Sequence, residues 1–348
     1  MQLTLEPDIL PSRAEMERAC LAHDASFDGL FFVAVKTTGV FCRPSCPAKP
    51  LLKNVEFFPS IRACCEAGYR PCKRCRPLES RGALPDFARQ LIENEAISPA
   101  EVGVSESKAR SFFLTRFGMS FSSFRRAQKM ARAWTQLKNG DALEDAIWDN
   151  GYDSHSGFRE AFRQTFGRSV GQIAQTHFVA VELVETPTGA WLVGATDGGI
   201  CFFEPCDKSP MSAHLEFLSR QFAAPILPFS HPHIQNFTAQ LAQYFAGKRR
   251  HFEVPLALIG SNFGREVWSA LLEIPFGETV SYEELAHRIG KPTAVRAVAR
   301  ANASNLICVA IPCHRVIGKD ENLTGYGGGL WRKRLLLEHE KRFARAEN

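Results

Sequence analysis

Apolar and polar positions follow two different periods along this chain. From Phe178 to Pro205, FVAVELVETPTGAWLVGATDGGICFFEP, apolar residues alternate in short runs broken at Gly189, Gly198 and Gly199. That pattern predicts short strands joined by tight turns. From about 85 to 176 the period is helical. FLTRFG (Phe113 to Gly118) returns as FRQTFG (Phe162 to Gly167), 49 residues later. In each copy two phenylalanines four apart share a helix face, and a glycine closes the helix. Upstream of the second copy, ALEDAIWDNGYDSHSGFREAF predicts a helix, a turn at Gly151 and a helix from about Ser154. This is a helix-turn-helix pattern, although an ordinary helical hairpin would share it. Past residue 260, SYEE (Ser281 to Glu284) reads as a capping box and Gly290 as a helix end. Thr293 then opens a helix through AVRAVARANA, with Arg296 and Arg300 one turn apart among Ala and Val. Such a helix suits close approach to a backbone, or packing against another helix.

At 348 residues the chain exceeds one ordinary core and divides into four segments. They are 1–80, 81–177, 178–260 and 261–348, with a polar linker between Pro77 and Pro85. Hydrophobic residues at 45% and charged residues at 23% are those of a soluble globular protein. No apolar run is long enough for a membrane span. The opening MQLTLEPDILPSRAEMERAC has neither the basic start nor the apolar core of a signal peptide, so a cytoplasmic location is expected. There, eleven cysteines read as thiols or metal ligands rather than disulfides. Net charge is only +5 but unevenly spread. Nine Lys/Arg between Lys36 and Arg76 face two acids, and eight between Lys108 and Lys138 face none. Each run lies beside a candidate binding motif, which points to nucleic acid.

The cysteines fall into two sites. Cys42 and Cys46 in FCRPSC are followed by Cys72 and Cys75 in YRPCKRC. Two close pairs that bring four thiolates together suit tetrahedral zinc. A redox pair is the alternative for Cys72 and Cys75, but it leaves the first pair unexplained. A module with so little core needs a metal to fold. Cys64 and Cys65 between the pairs read as structural thiols on a helix. The second site is IPCHRVIG. It sets Cys313 beside His314 at the end of an apolar stretch, where imidazole can activate the thiol as a nucleophile. Glu340 in LLLEHE is a candidate to orient the imidazole. A cysteine hydrolase would use the same groups.

With these motifs assembled, the chain resembles a known family. PCHRV resembles the O6-alkylguanine-DNA alkyltransferases, together with the preceding VWSALLEIPFGETVSYEELAHRIGKPTAVRAVARANASN and the following GYGGG and LLLEHE. DGLFFVAVKTTGVFCRPSC with GYRPCKRC resembles the Ada zinc module, and the helical middle resembles AraC-type DNA-binding domains. The resemblance implies a multidomain α+β protein. Its parts would be a small zinc-bound α/β module, an all-α AraC-type helix-turn-helix domain, a ribonuclease-H-like α/β subdomain and a winged-helix-like α subdomain. It implies a single-turnover methyltransferase that repairs alkylated double-stranded DNA and regulates transcription. Cys313 would accept the alkyl group from O6 of guanine, His314 act as base through a water, and Glu340 orient it. Asn305 would tie the active-site turn. Arg296 would enter the stack as guanine flips out, Tyr282 push its phosphate, and Tyr326 line the pocket. Cys42 would be both zinc ligand and acceptor of a methyl from a methylphosphotriester. Thr38, Lys49 and Arg70 match positions that meet DNA in that module, while Pro47 stands where the family typically has arginine. One Zn²⁺ is implied, and a monomer with promoter DNA and RNA polymerase as further partners. A regulator that only senses alkylated DNA is the rival reading. The chain departs from the family pattern in the middle. SPAEVG (Ser98 to Gly103) leaves barely one helical turn before the first presumed recognition helix, too little to hold a partner helix rigidly.

Overall fold

The computed structural model describes residues 10–24, 27–28, 31–78, 84–206, 211–319, 323 and 325–345. Part of the linker expected between Pro77 and Pro85 lies outside them.

The N-terminal module opens with α1 (Arg13–Leu21), capped by Ser12, whose hydroxyl accepts from the Glu15 amide. Four short strands follow: β1 (Phe32–Val35), β2 (Val40–Cys42), β3 (Val55–Phe58) and, after α2 (Ile61–Glu66), β4 (Arg70–Pro71). They form one sheet in the order β3-β1-β2-β4, with β2 and β4 parallel. The pairing sets Val33 opposite Cys42. Cys64 packs with Phe32, Ala34 and Phe41, as a structural thiol should. Cys65 does not: it is exposed on the far side of α2, because adjacent helix positions point apart.

The middle segment is helical: α3 (Asp86–Glu93), α4 (Glu106–Phe117), α5 (Phe121–Asn139), α6 (Leu143–Trp148) and α7 (His155–Phe166). Both repeat copies end as expected. Gly118 and Gly167 are left-handed caps at φ 64° and 66°. The second helix-turn-helix is α6, a turn with Gly151 at φ 65°, and α7 capped by Ser154. The first differs from expectation. Residues 99–103 form no helix but a hydrogen-bonded turn, closed by the Val104 amide on the Pro99 carbonyl. Glu101 caps it, accepting from the amide and hydroxyl of Ser98.

A second sheet contains β5 (Val179–Thr186), β6 (Gly189–Thr196) and β7 (Gly199–Pro205). After α8 (Met211–Phe222) comes β8 (Ile226–Pro228), giving the order β7-β6-β5-β8. α9 (Pro232–Phe245) covers one face, with Ile234, Phe237 and Leu241 meeting Trp191, Val193 and Phe203. α8 covers the other, together with Phe113, Phe117 and Phe124 of the helical segment. The two segments are joined further by Arg89 on α3, which pairs with Glu185 on β5 at 2.8 Å. Within the helical segment, Trp134 Nε1 donates to the Thr176 hydroxyl at 2.7 Å.

The C-terminal part holds α10 (Asn262–Leu272), β9 (Val280–Ser281), α11 (Tyr282–Arg288), α12 (Val295–Ala303), β10 (Val316–Ile317) and α13 (Leu330–Arg345). Ser281 caps α11 as expected, but Glu284 does not reach back. Its carboxylate pairs with Arg288 one turn on, at 2.6 Å. α12 starts at Val295, two residues after Thr293. β9 and β10 pair in parallel, Val316 opposite Val280, which sets the 3-10 turn Cys313–Arg315 beside the start of α11.

Candidate zinc and alkyl-acceptor sites

β2 delivers Cys42 and the turn after it delivers Cys46. β4, parallel to β2, runs into the turn that holds Cys72 and Cys75. Their four sulfurs lie within 4.8 Å of one another. Packed this close, Cys42, Cys46 and Cys75 are pushed apart in their tendency to ionise. Hydrogen bonding with Cys42 holds Cys75 down to about 5. Cys42 is correspondingly pushed up, by its bond to Cys75 and by burial, and Cys46 rises to about 11, chiefly through burial. A divalent cation relieves this conflict by holding all four as thiolates, and an all-sulfur tetrahedral set suits zinc. The donor set fits one Zn²⁺. Main-chain amides reinforce it: the Arg43 amide donates to Cys75 Sγ and the Arg74 amide to Cys72 Sγ, both at 3.4 Å. Thr38 and Arg70 are both exposed, and the Arg70 amide donates to the carbonyl of Gly39, which follows Thr38. Lys49 is exposed in the loop after Cys46.

The second site begins with main-chain geometry. The segment before Cys313 is drawn along β7: Phe203 N–H donates to the Leu306 carbonyl and Cys308 N–H to the Phe203 carbonyl, at 2.7 and 3.1 Å. The chain then reverses twice. Val309 sits at φ 70° in a three-residue turn that the Ala310 amide closes on the Cys308 carbonyl. This turn hand is strained for a β-branched residue. Pro312, at φ −81° and ψ 56°, forms the relaxed opposite turn, closed by the Cys313 amide on the Ile311 carbonyl. Asn305 binds both reversals. Its Nδ2 donates to the Ile311 carbonyl at 3.0 Å, and its Oδ1 accepts from the Ile307 amide at 2.9 Å.

The same Nδ2 lies 3.1 Å from Cys313 Sγ. Cys313 is 2% exposed. A hydrogen bond with Cys308 lowers its thiol pKa most, burial opposes this, and Asn305 and Lys333 lower it further. Lys333, on α13, is fully buried and donates to the Val316 carbonyl. Burial brings it down to about 8.

His314 and Glu340 are both fully buried, with Nε2 and Oε1 at 2.8 Å. Burial lowers the imidazole pKa and Glu340 only partly offsets this, so the ring is neutral at pH 7. Its Nδ1 is buried without a protein partner, free to hold a bridging water. Glu340 is the hub of the site. It accepts from Arg315 Nε and Nη2 at 2.9 and 3.0 Å, Tyr244 Oη at 2.8 Å and the Gly277 amide at 3.1 Å. Burial alone would raise its pKa, but His314 and Arg315 hold it well below the usual carboxylate range.

The family models match in series. Residues 15–78 match the metal binding domain of Ada and 100–176 a helix-turn-helix domain. Residues 179–258 match the ribonuclease-like domain of 6-O-methylguanine DNA methyltransferase, and 262–342 its DNA binding domain. The chain is 36% identical to the regulatory protein ada of Salmonella typhimurium, over 92% of this chain and 94% of that protein. The chain belongs to the Ada family. It is 34% identical to the bifunctional transcriptional activator/DNA repair enzyme Ada of Escherichia coli, over 93% of this chain and 95% of that protein. Its C-terminal part is similar to the inducible methylated-DNA–protein-cysteine methyltransferase of Bacillus subtilis, 41% identical over 43% of this chain and 83% of that one.

The other residues expected at this site lie on α11, on α12 and in the loop before α13. Arg296 is exposed on α12. Tyr282 opens α11, and its hydroxyl donates to the Gly325 carbonyl at 3.3 Å, tying the helix to the loop that carries Tyr326. The Tyr326 ring stands edge-on to His314, with its hydroxyl buried and without a protein partner. Sequence reasoning did not single out Tyr244, Arg315, Gly277 or Lys333. Arg315 had a readable signal, since it directly follows His314. Tyr244 and Gly277 had none, because their partner lies far along the chain.

Proposed function

We propose that the chain repairs alkylated DNA at two single-use acceptors and couples one of them to transcription. The carrying observation is the buried Cys313 thiol, with an amide donor at 3.1 Å, beside a fully buried His314–Glu340 pair. In this reading the duplex seats on α12, guanine leaves the stack, and Arg296 fills its place. Tyr282 crowds the phosphate, and the free hydroxyl of Tyr326 faces the base. His314 takes the thiol proton through a water, and Glu340 stabilises the imidazolium that forms. Sγ attacks the methyl carbon. The S–C bond forms, the C–O6 bond breaks, and its electron pair returns to guanine, which takes up a proton and leaves restored. A thioether does not revert, so the site acts once.

In the N-terminal module Cys42 attacks the methyl of a methylphosphotriester, and the phosphodiester anion leaves. Cys42, Cys46, Cys72 and Cys75 would hold one Zn²⁺, which when bound would keep the sulfurs ionised at neutral pH. Thr38, Lys49 and Arg70 hold the backbone. The helix-turn-helix segment would direct the methylated protein to promoter DNA and RNA polymerase, as a monomer in the cytoplasm. Among the described residues no helix is long and apolar enough to cross a membrane. A reader of damage without repair needs no thiol beside a buried His–Glu pair.

The test assays methyl transfer on two separate substrates. Cys313→Ala should abolish transfer from O6-methylguanine and leave phosphotriester repair, and Cys42→Ser should do the reverse. Wild-type guanine repair by Cys313→Ala would remove Cys313 from this role.

A further inference from the structure

Two asparagines at the C-terminal end of α12 converge on Cys313. Asn305, past the helix, holds the sulfur and the turn. Asn302 is different. It lies on α12 itself, on the buried face with Val298 and Ala301, and is 2% exposed. Its Nδ2 donates to the main-chain carbonyl of Cys313 at 3.3 Å. Its Oδ1 is buried without a partner. A half-satisfied buried amide is a costly filling for a helix face, and an apolar side chain of similar volume would cost less. The contact to Cys313 is what the amide adds.

That contact joins two parts of the site with separate tasks. α12 also carries Arg296, exposed nearly two turns upstream. The same end of α12 is pinned from its other neighbour by Trp268, whose Nε1 donates to the Ala301 carbonyl at 2.8 Å. A helix moves as a stiff rod over this distance, so any shift of α12 on a duplex carries Asn302 with it. The Cys313 carbonyl belongs to the same residue as the reacting sulfur. A small displacement there turns the Cα–Cβ bond and redirects Sγ.

We propose that Asn302 is a positioning residue that transmits the seating of α12 on DNA to the acceptor. It acts through the Cys313 main chain and does not touch the reacting atoms. Sγ is then best aimed only when α12 is seated, so a lesion in a duplex reacts faster than the same chemistry offered free. The proposal rests on Cys313 being the acceptor, which transfer from a free base reports separately.

The test uses the full chain and two substrates, O6-methylguanine within a duplex and the free base O6-benzylguanine. Asn302→Leu should slow duplex transfer by about 10- to 100-fold, the loss that a misplaced reacting group brings. It should leave free-base transfer near wild type and the thermal midpoint unchanged or higher, since an unpaired oxygen is gone. Asn302→Ser, too short to reach the carbonyl, should show the same split and guards against a leucine that does not fit. Equal loss on both substrates, a Ser variant with wild-type duplex transfer, or no duplex loss in either variant overturns the proposal. If Cys313→Ala retains free-base transfer, the acceptor assignment fails instead.

Discussion

Glu340 carries more of the C-terminal site than its role beside His314 suggests, and replacing it should expose that. Its carboxylate is fully buried and serves five donors: His314, Arg315 twice, Tyr244 and Gly277. Glu340→Gln keeps the shape but removes the charge. The Arg315 guanidinium, 5% exposed, then faces no anion and keeps the Ile274 carbonyl, at 2.6 Å, beside a neutral amide. Breaking one side of a buried pair costs about 3–5 kcal/mol. A glutamine nitrogen also faces a donor, adding about 1 kcal/mol or more for an unsatisfied group. Urea unfolding should therefore show a loss of about 4–6 kcal/mol. Arg315→Met should cost about 3–5 kcal/mol by leaving the carboxylate short of its cation. The double variant removes both charges, so its cost should fall below the sum of the two singles by about 3 kcal/mol. Transfer from O6-methylguanine should drop by about 10² to 10⁴ in Glu340→Gln and stay low in the double variant, because His314 has lost its orienting partner. The pH sign follows from the depressed carboxyl. Its stabilisation is present above the unfolded value of about 4.3 and is lost as pH falls through the lower folded value. The gap between wild type and Glu340→Gln should thus narrow below about pH 4. Additivity of the two substitutions within about 0.5 kcal/mol would refute the hub.

Three further outcomes are expected. Residues 1–80 expressed alone should bind about one zinc, and Cys46→Ala should abolish both the metal and the fold by metal analysis and circular dichroism. Lys333→Met should raise stability by up to about 3 kcal/mol, because a lysine brought down to about 8 is charged at a cost below that pH. It should slow transfer at pH 7 by removing a cation that favours the thiolate. Methylating Cys42 reduces the zinc–thiolate charge from about −2 to about −1, so DNA affinity should rise with a steep salt dependence by titration across a salt series. Preference for promoter over random DNA should stay below the factor of about 10³ typical of specific binders, since the first helix-turn-helix has a turn where its scaffold helix belongs.

What the sequence revealed followed the reach of its signals. The zinc ligands were legible because two short spacings carry the chemistry, and Cys313 because an imidazole is the next residue. Strand alternation and the glycine caps at Gly118 and Gly167 are local rules that tertiary packing did not override. Glu340 entered as a candidate carboxylate for the imidazole and Asn305 from family resemblance, as neither has a local signature. The partners of Glu340 are set by the approach of α9, α13 and the loop before β9, which no spacing encodes. The strained turn at Val309 runs against its residue's own preference and is held by Asn305 from outside. Glu284 shows the opposite failure: a correct local rule lost to Arg288, an equally local partner one turn away. At residues 99–103 the helix-start and helix-stop signals lay too close together, and a turn was the cheaper outcome.

In the proposed function two sulfurs, of Cys313 and Cys42, each accept one methyl group from a different lesion. Intact mass spectrometry with peptide mapping tests it directly, after separate incubation with duplexes carrying O6-methylguanine or a methylphosphotriester. The expected result is one methyl per chain from each duplex, on Cys313 from the first and on Cys42 from the second, with no further gain on longer incubation. An unmodified chain that nevertheless restores either duplex, or a methyl on any other residue, would contradict it.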